Sequence, residues 1–136
     1  MTDKLKKIGL SQFEVRDYEC DMQGIVNNAV YQNYLEHARH LFIKEKGLDF
    51  ADITKQGIHL VLIKAELEYK RSLKSGDVFY VETRVERETK LKLAFHQQVF
   101  RSQDDQLMLN AKMTVTSTTQ AGRPIVFEQA DLLLTH

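Results

Sequence analysis

Cysteine, proline and net charge are all scarce in this sequence, and each scarcity removes a class of answer. Cys20 is the only cysteine among 136 residues, so no internal disulfide framework holds the fold, and the usage fits a reducing compartment. One proline and six glycines, beside 43% hydrophobic residues, describe an ordered globule rather than a disordered or linker-rich chain. Lys and Arg number 19, as do Asp and Glu, so no overall charge draws the protein to nucleic acid or anionic lipid. No apolar run approaches the roughly 20 residues of a membrane span. The opening MTDKLKKIGL has lysines without the apolar stretch of a signal peptide. The expectation is a cytoplasmic protein with no integral membrane association. It folds as one domain over residues 1–136, without repeats or an internal linker, and at that size a single core buries roughly two-thirds of the unfolded surface.

What is present is strongly patterned. Residues 11–19, SQFEVRDYE, alternate with Phe13 and Val15 on one face, a strand pattern. The period then changes to about 3.6: Tyr31, Tyr34, Leu35, Ala38, Leu41 and Phe42 form one apolar stripe, with Glu36, His37, Arg39 and His40 on the rest of the wheel. Lysines in the last turn and Gly47 beyond them stop this helix. From Asn28 to Lys46 it is about 28 Å long at ~1.5 Å per residue, enough to run through the middle of whatever covers it. DFADITKQG predicts a short second helix ending at Gly57.

Four strands follow. In 58–70 the odd positions Val61, Ile63, Ala65, Leu67 and Tyr69 are apolar; in 78–87 they are Phe79, Val81 and Val85. In 91–101 the set is Leu91, Leu93, Phe95 and Val99, and in 107–117 it is Leu107, Leu109, Ala111, Met113 and Val115. KSGD and SQDDQ between them are turns by composition. Connections this short hold no crossover helix, so an antiparallel meander is expected. The predicted class is α+β: a long central helix wrapped by a curved antiparallel sheet of about five strands. The tail GRPIVFEQADLLLTH fits either a last strand or a short terminal helix.

The junction GIVNNAVYQNYLEHARHLF, preceded by the acidic run Asp17-Tyr18-Glu19-Cys20-Asp21, has more polar groups than one helix cap requires. With Asn27 as N-cap, its side chain takes the N–H of Ala29 or Val30, while Val26 and Tyr31 stand at hydrophobic-staple spacing. The N–H of Asn28 is left without an intrahelical partner at the positive end of a long helix dipole. Such a donor suits a polarised carbonyl or an oxyanion. Asp21, six residues before the cap, can fold back through Gly24 to act as general base or nucleophile. Capping and turn chemistry alone also account for Asn-Asn and for Asp in a glycine loop.

The stretch YECDMQGIVNNAVYQNYLEHAR resembles the signature of hot-dog-fold thioesterases, in the branch of 4-hydroxybenzoyl-CoA thioesterase and related acyl-CoA thioesterases. Asp21, Gly24, Val26, Asn27, Asn28 and Tyr31 carry the match, with Tyr34-Leu35-Glu36 and Ala38-Arg39 after them. LEYKRSLKSGDVFYVET resembles two later strands of that family. The resemblance implies a hot-dog fold and homodimers with a continuous sheet, often paired into homotetramers. It implies hydrolysis of an acyl-CoA or acyl-carrier-protein thioester without metal or other cofactor, CoA being part of the substrate. Asp21 takes the catalytic carboxylate position and Asn28 gives its N–H to the carbonyl. Gly24, Ile25, Val26, Asn27 and Tyr31 are expected around the substrate. Many members carry His where this chain has Ile25, so any role of that histidine is lost.

Other candidates are weighed beside these. His59 opens the first strand after the helices and is a candidate pocket residue. Lys90 and Lys92, flanking a tight turn, are candidate contacts for CoA phosphates, although charged turn residues are commonly just solvated. Cys20 lacks an activating base, and alternation would turn it away from Asp21. Glu36 and Arg39, at i,i+3, are expected to pair on the helix surface. His37, His40, His59, His96 and His136 show no metal-ligand spacing. A non-catalytic module that binds acyl thioesters or acyl carrier protein is the alternative function. A hydratase fits poorly because no histidine follows Asp21 before Asn28.

Overall fold

Alternating side chains produce five strands: β1 (Gly9–Glu14), β2 (His59–Tyr69), β3 (Val78–Thr89), β4 (Lys92–Arg101) and β5 (Gln106–Thr118). A computed structural model describes residues 9–134; the reading of the first eight residues and of His136 lies outside them. The strands form one antiparallel sheet in the order β1-β3-β4-β5-β2. Between β1 and β2 come the long helix α1 (Asn28–Glu45) and the short α2 (Phe50–Lys55), the latter capped by Asp49 through the N–H of Ala51. α1 buries one side against the sheet, the helix-in-sheet arrangement of a hot-dog fold. The tail closes as a 3-10 turn, Glu128–Ala130, and a last turn of helix, α3 (Asp131–Leu134), with Phe127, Ala130 and Leu133 buried. No described helix is long and apolar enough to cross a membrane.

Four details depart from the sequence pattern, each for a local reason. The first strand does not reach residue 19. Pairing with β3 ends at Glu14, and Asp17–Glu19 turn as a 3-10 helix in which Glu19 Oε1 accepts the Arg16 N–H at 2.8 Å. In α1 the buried residues are Tyr31, Tyr34, Leu35, Ala38, Arg39, Phe42 and Ile43. This is an unbroken i, i+3, i+4 series, so Arg39 turns inward, and Leu41, one step off it, is 40% exposed.

The meander holds for β3, β4 and β5 but not for β2, which pairs with β5 from His59↔Thr118 to Tyr69↔Leu109. Residues 70–77 therefore do not form a hairpin; they cross under the start of α1. Leu73, fully buried there, donates its N–H to the Tyr31 hydroxyl at 2.9 Å and accepts the Val26 N–H at 2.9 Å. Lys70 and Arg71 still donate to the Met108 carbonyl of β5, whereas the backbone groups of Leu73 find their partners at the helix start.

Finally, β2 changes phase. A bulge between Leu62 and Lys64 leaves Ile63 without a Cα partner. Leu62 stands opposite buried Val115, and beyond the bulge Ala65, Leu67 and Tyr69 oppose Met113, Ala111 and Leu109. The extra residue moves the inward set from even to odd positions. Val61 and Ile63 consequently fall off the register that faces the core.

The contrast along α1 is testable. Leu35→Ala removes a fully buried side chain and lowers unfolding free energy by about 2–5 kcal/mol. Leu41→Ala, at an exposed position, changes it by about 0.5 kcal/mol or less. Urea denaturation followed by circular dichroism, at unchanged slope, checks both.

Candidate active site

The polar junction is a loop pinned at both ends. Cys20 and Val26 form an antiparallel bridge, and Ile25 bridges Lys74 of the crossing segment. Between them Asp21 donates its N–H to the Ile25 carbonyl (2.9 Å) and accepts the Gly24 N–H on its own carbonyl (3.0 Å). This reversal needs a left-handed residue, and Gly24, at φ +81°, supplies it. The Asp21 carboxylate folds over its own turn: Oδ1 accepts the Gln23 N–H at 2.8 Å, with the Ile25 N–H farther off at 3.4 Å. Oδ2 makes no hydrogen bond among the described residues.

At the other end of the loop, Asn27 caps α1 by accepting the Ala29 N–H at 3.1 Å on its side chain, and its own N–H donates to the Glu19 carbonyl. Val26 and Tyr31, the expected staple pair, are both buried in the same core cluster. The Asn28 N–H has no partner among the described residues, and Asn28 is exposed.

The acidic run divides by use. Glu19 accepts the Arg16 N–H and the Tyr34 hydroxyl, the latter at 2.8 Å. Asp17 accepts the Ser75 hydroxyl. Each of these three carboxylates keeps one oxygen without a protein donor among the described residues, but only Asp21 accepts from no side chain, its donors being amides of its own turn. Burial, helped by Glu19, raises the Tyr34 phenol above its ordinary value, which keeps it a hydrogen-bond donor to that carboxylate. Cys20 is half-buried, and desolvation, followed by the carboxylates of Asp17 and Asp21, pushes its thiol up. That is the wrong direction for a thiolate nucleophile.

One chain gathers Asp21, Gly24, Ile25, Val26, Asn27, Asn28 and Tyr31, but Tyr31 is buried and its hydroxyl is occupied by Leu73. His59, Lys90 and Lys92 are not part of this cluster. The loop sits near Tyr69, whose ring is 5.5 Å from Tyr31. His59 begins the same strand, about 33 Å of extended chain away at ~3.3 Å per residue. Lys90 and Lys92 are exposed on the β3–β4 hairpin, where Lys92 pairs with Thr116 near the His59 end.

Sequence reasoning missed three further residues. Arg39, expected on the helix surface beside Glu36, is instead 8% exposed. Its Nη1 donates to Gln97 Oε1 at 3.0 Å, and no ion pair with Glu36 forms among the described residues. Gln97 in turn donates to the Leu35 carbonyl (2.9 Å) and to Thr83 Oγ1 (3.2 Å). Burial depresses the Arg39 guanidinium below its ordinary value, partly offset by Glu36. The signal was present: each of the three is a polar residue in the apolar phase of its element.

Residues 15–130 match the family model described as the thioesterase-like superfamily. The chain is 32% identical over 122 residues to a chloroplastic acyl-acyl carrier protein thioesterase of Arabidopsis thaliana. That match covers 86% of this chain and 64% of the relative; a second such thioesterase from the same plant is 34% identical, with 60% of its length spanned. Thus the chain spans about three-fifths of the length of these curated relatives. Among solved structures, a 1,4-dihydroxy-2-naphthoyl-CoA thioesterase from Synechocystis superposes with TM-score 0.88 at 14% identity, covering 93% of this chain and 95% of that one. A hypothetical protein from Aquifex aeolicus superposes with TM-score 0.85 at 29% identity, covering 93% and 98%.

The tie between Tyr31 and Leu73 predicts a measurable cost. Tyr31→Phe leaves the buried Leu73 N–H without an acceptor and destabilises the protein by about 1–3 kcal/mol, read as a lowered thermal midpoint.

Proposed function

Because the chain belongs to the thioesterase-like superfamily, we propose that it hydrolyses acyl thioesters carried on coenzyme A or an acyl carrier protein. One observation carries this reading. A single pinned loop ends in a carboxylate with a free oxygen, Asp21 Oδ2, and in a free amide, Asn28 N–H, at a helix N-terminus. The name of the similar plant proteins, acyl-acyl carrier protein thioesterase, supports a carrier-protein thioester, and the fold is shared with a 1,4-dihydroxy-2-naphthoyl-CoA thioesterase.

In this reading the Asn28 N–H and the dipole of α1 stabilise the negative charge that develops on the thioester oxygen. As general base, Asp21 accepts a proton from water while the water oxygen bonds to the carbonyl carbon. The tetrahedral intermediate collapses with cleavage of the C–S bond, and the departing sulfur takes up a proton. As nucleophile, Asp21 forms an acyl anhydride with release of the thiol, and water then cleaves the anhydride. No step needs a metal or a redox cofactor.

The site is completed by a second copy. The outer edge of β2 is long, unpaired in one chain and carries exposed Val61 and Ile63, which invites strand pairing. Antiparallel pairing of β2 with its own copy across a two-fold axis is self-complementary and makes a continuous sheet. It also brings the partner's His59 beside Tyr69, next to the Asp21 loop, with the partner's Lys90 and Lys92 toward the same end. In this dimer these three residues are the proposed contacts for the substrate and the CoA phosphates. Further pairing into a tetramer is compatible with the charged outer face of the sheet.

Two experiments test the reading. In a thiol-release assay over short, medium, long and aromatic acyl-CoAs, Asp21→Asn and Asp21→Ala lower kcat by about 10²–10⁴-fold. Turnover near wild type in both removes the assignment, and tight acyl-CoA binding without thiol release in the unaltered protein identifies a binding module instead. Ile63→Glu, at the bulge on the open edge, converts the dimer to monomer in light scattering and abolishes turnover. A fully active monomer rules out the shared site.

A further inference from the structure

Arg39 is a buried cation with most of its hydrogen-bonding capacity unspent. A guanidinium has five N–H donors; here one is used, toward Gln97. Gln97 is itself saturated, its amide nitrogen held by Leu35 and Thr83, so it fixes the guanidinium in place without balancing its charge. No buried nitrogen of Arg39 is left both sealed and unpaired. Its Nε and Nη2 therefore keep access to open space, and the space beside them is a cavity of about 260 Å³.

That cavity lies between α1 and the β2 side of the sheet. Phe50, Leu60, Leu62 and Phe95 supply apolar walls. Glu36 and His40, both partly exposed and 3.8 Å apart, stand on its solvent side, with the His40 ring over Phe50. The volume is close to the lower end of small-molecule pockets, roughly 300 Å³. An apolar chamber with one convergent cation is built for an apolar group bearing an acceptor. Glu36 lines the same cavity, so an anionic guest would meet a carboxylate as well as the guanidinium, and the fitting acceptor is uncharged.

We propose that this cavity receives the distal part of the acyl group and that Arg39 selects for an uncharged oxygen there, a hydroxyl or a carbonyl. The identification of the guest as an acyl group rests on the thioesterase reading. Leu60 and Leu62 border the His59 end of β2, so in the two-fold dimer the partner's cavity faces the Asp21 loop. A thioester held at Asn28 then extends its acyl group into the neighbouring subunit.

The test measures binding, not turnover. Two CoA thioethers, which have no cleavable carbonyl, end in a 3-phenylpropyl or a 3-(4-hydroxyphenyl)propyl group and are titrated into the intact protein by calorimetry. The hydroxylated ligand binds wild type about tenfold more tightly, and Arg39→Met reduces the ratio to about twofold or less while the phenyl ligand keeps its Kd. Leu60→Phe, which fills the cavity from its wall, weakens both ligands. Equal affinities in wild type, or a ratio that survives Arg39→Met, overturn the proposal. If Arg39→Met does not fold, the wild-type ratio and the response of Leu60→Phe decide, and a missing ratio or unaltered ring binding in that variant overturns it. A retained ratio in a protein that hydrolyses no thioester removes the thioesterase reading and leaves the oxygen-selective cavity standing.

Discussion

Two hydrogen bonds at Leu73 hold the start of α1 to the sheet. One comes from the Val26 backbone and one goes to the Tyr31 hydroxyl, and between them they fix the loop, the cap and the first helical turn. The Leu73 side chain is fully buried and its polar groups are both satisfied, so the crossing segment cannot shift without exposing apolar surface and orphaning buried donors. Every feature of the candidate site is measured from that anchor. The Cys20–Val26 bridge, the reversal at Gly24 and the cap at Asn27 are local devices; the anchor, with the Ile25–Lys74 bridge beside it, sets them against the body of the protein.

A second constraint runs through the middle of the fold. Arg39, Gln97 and Thr83 come from α1, β4 and β3, and each occupies a position that its neighbours reserve for apolar side chains. A lone polar residue there costs several kcal/mol; three that hydrogen-bond in sequence are tolerated. The network ties the helix to the sheet at mid-length, as Leu73 does at the helix start. It also leaves a cation facing a cavity. In this chain a structural device and a recognition device share the same guanidinium.

The edge strand carries the proposed dimer. The bulge at Ile63 turns Leu60 and Leu62 inward to wall the cavity and leaves Val61 and Ile63 outside. One extra residue thus sets both an interior surface and an exterior one. Asp21 and His59, both candidate site residues, lie apart in one protomer because the Asp21 loop packs toward the Tyr69 end of β2 and His59 begins that strand.

The elements were legible in the residues. The helix from Asn28, the cap at Asn27, the short helix before Gly57, the stretches that became β2 to β5 and the free amide at Asn28 follow from periodicity and capping rules, which act over a few neighbouring residues. The acidic motif pointed to Asp21. It could not say that Asp17 and Glu19 would be spent on Ser75 and Tyr34, because those partners are 15 or more residues away. The order of the strands, the inward turn of Arg39 and the phase change in β2 were decided by tertiary packing. Local patterns state which faces are apolar, whereas the choice of partner for each face depends on how all of them can be buried at once.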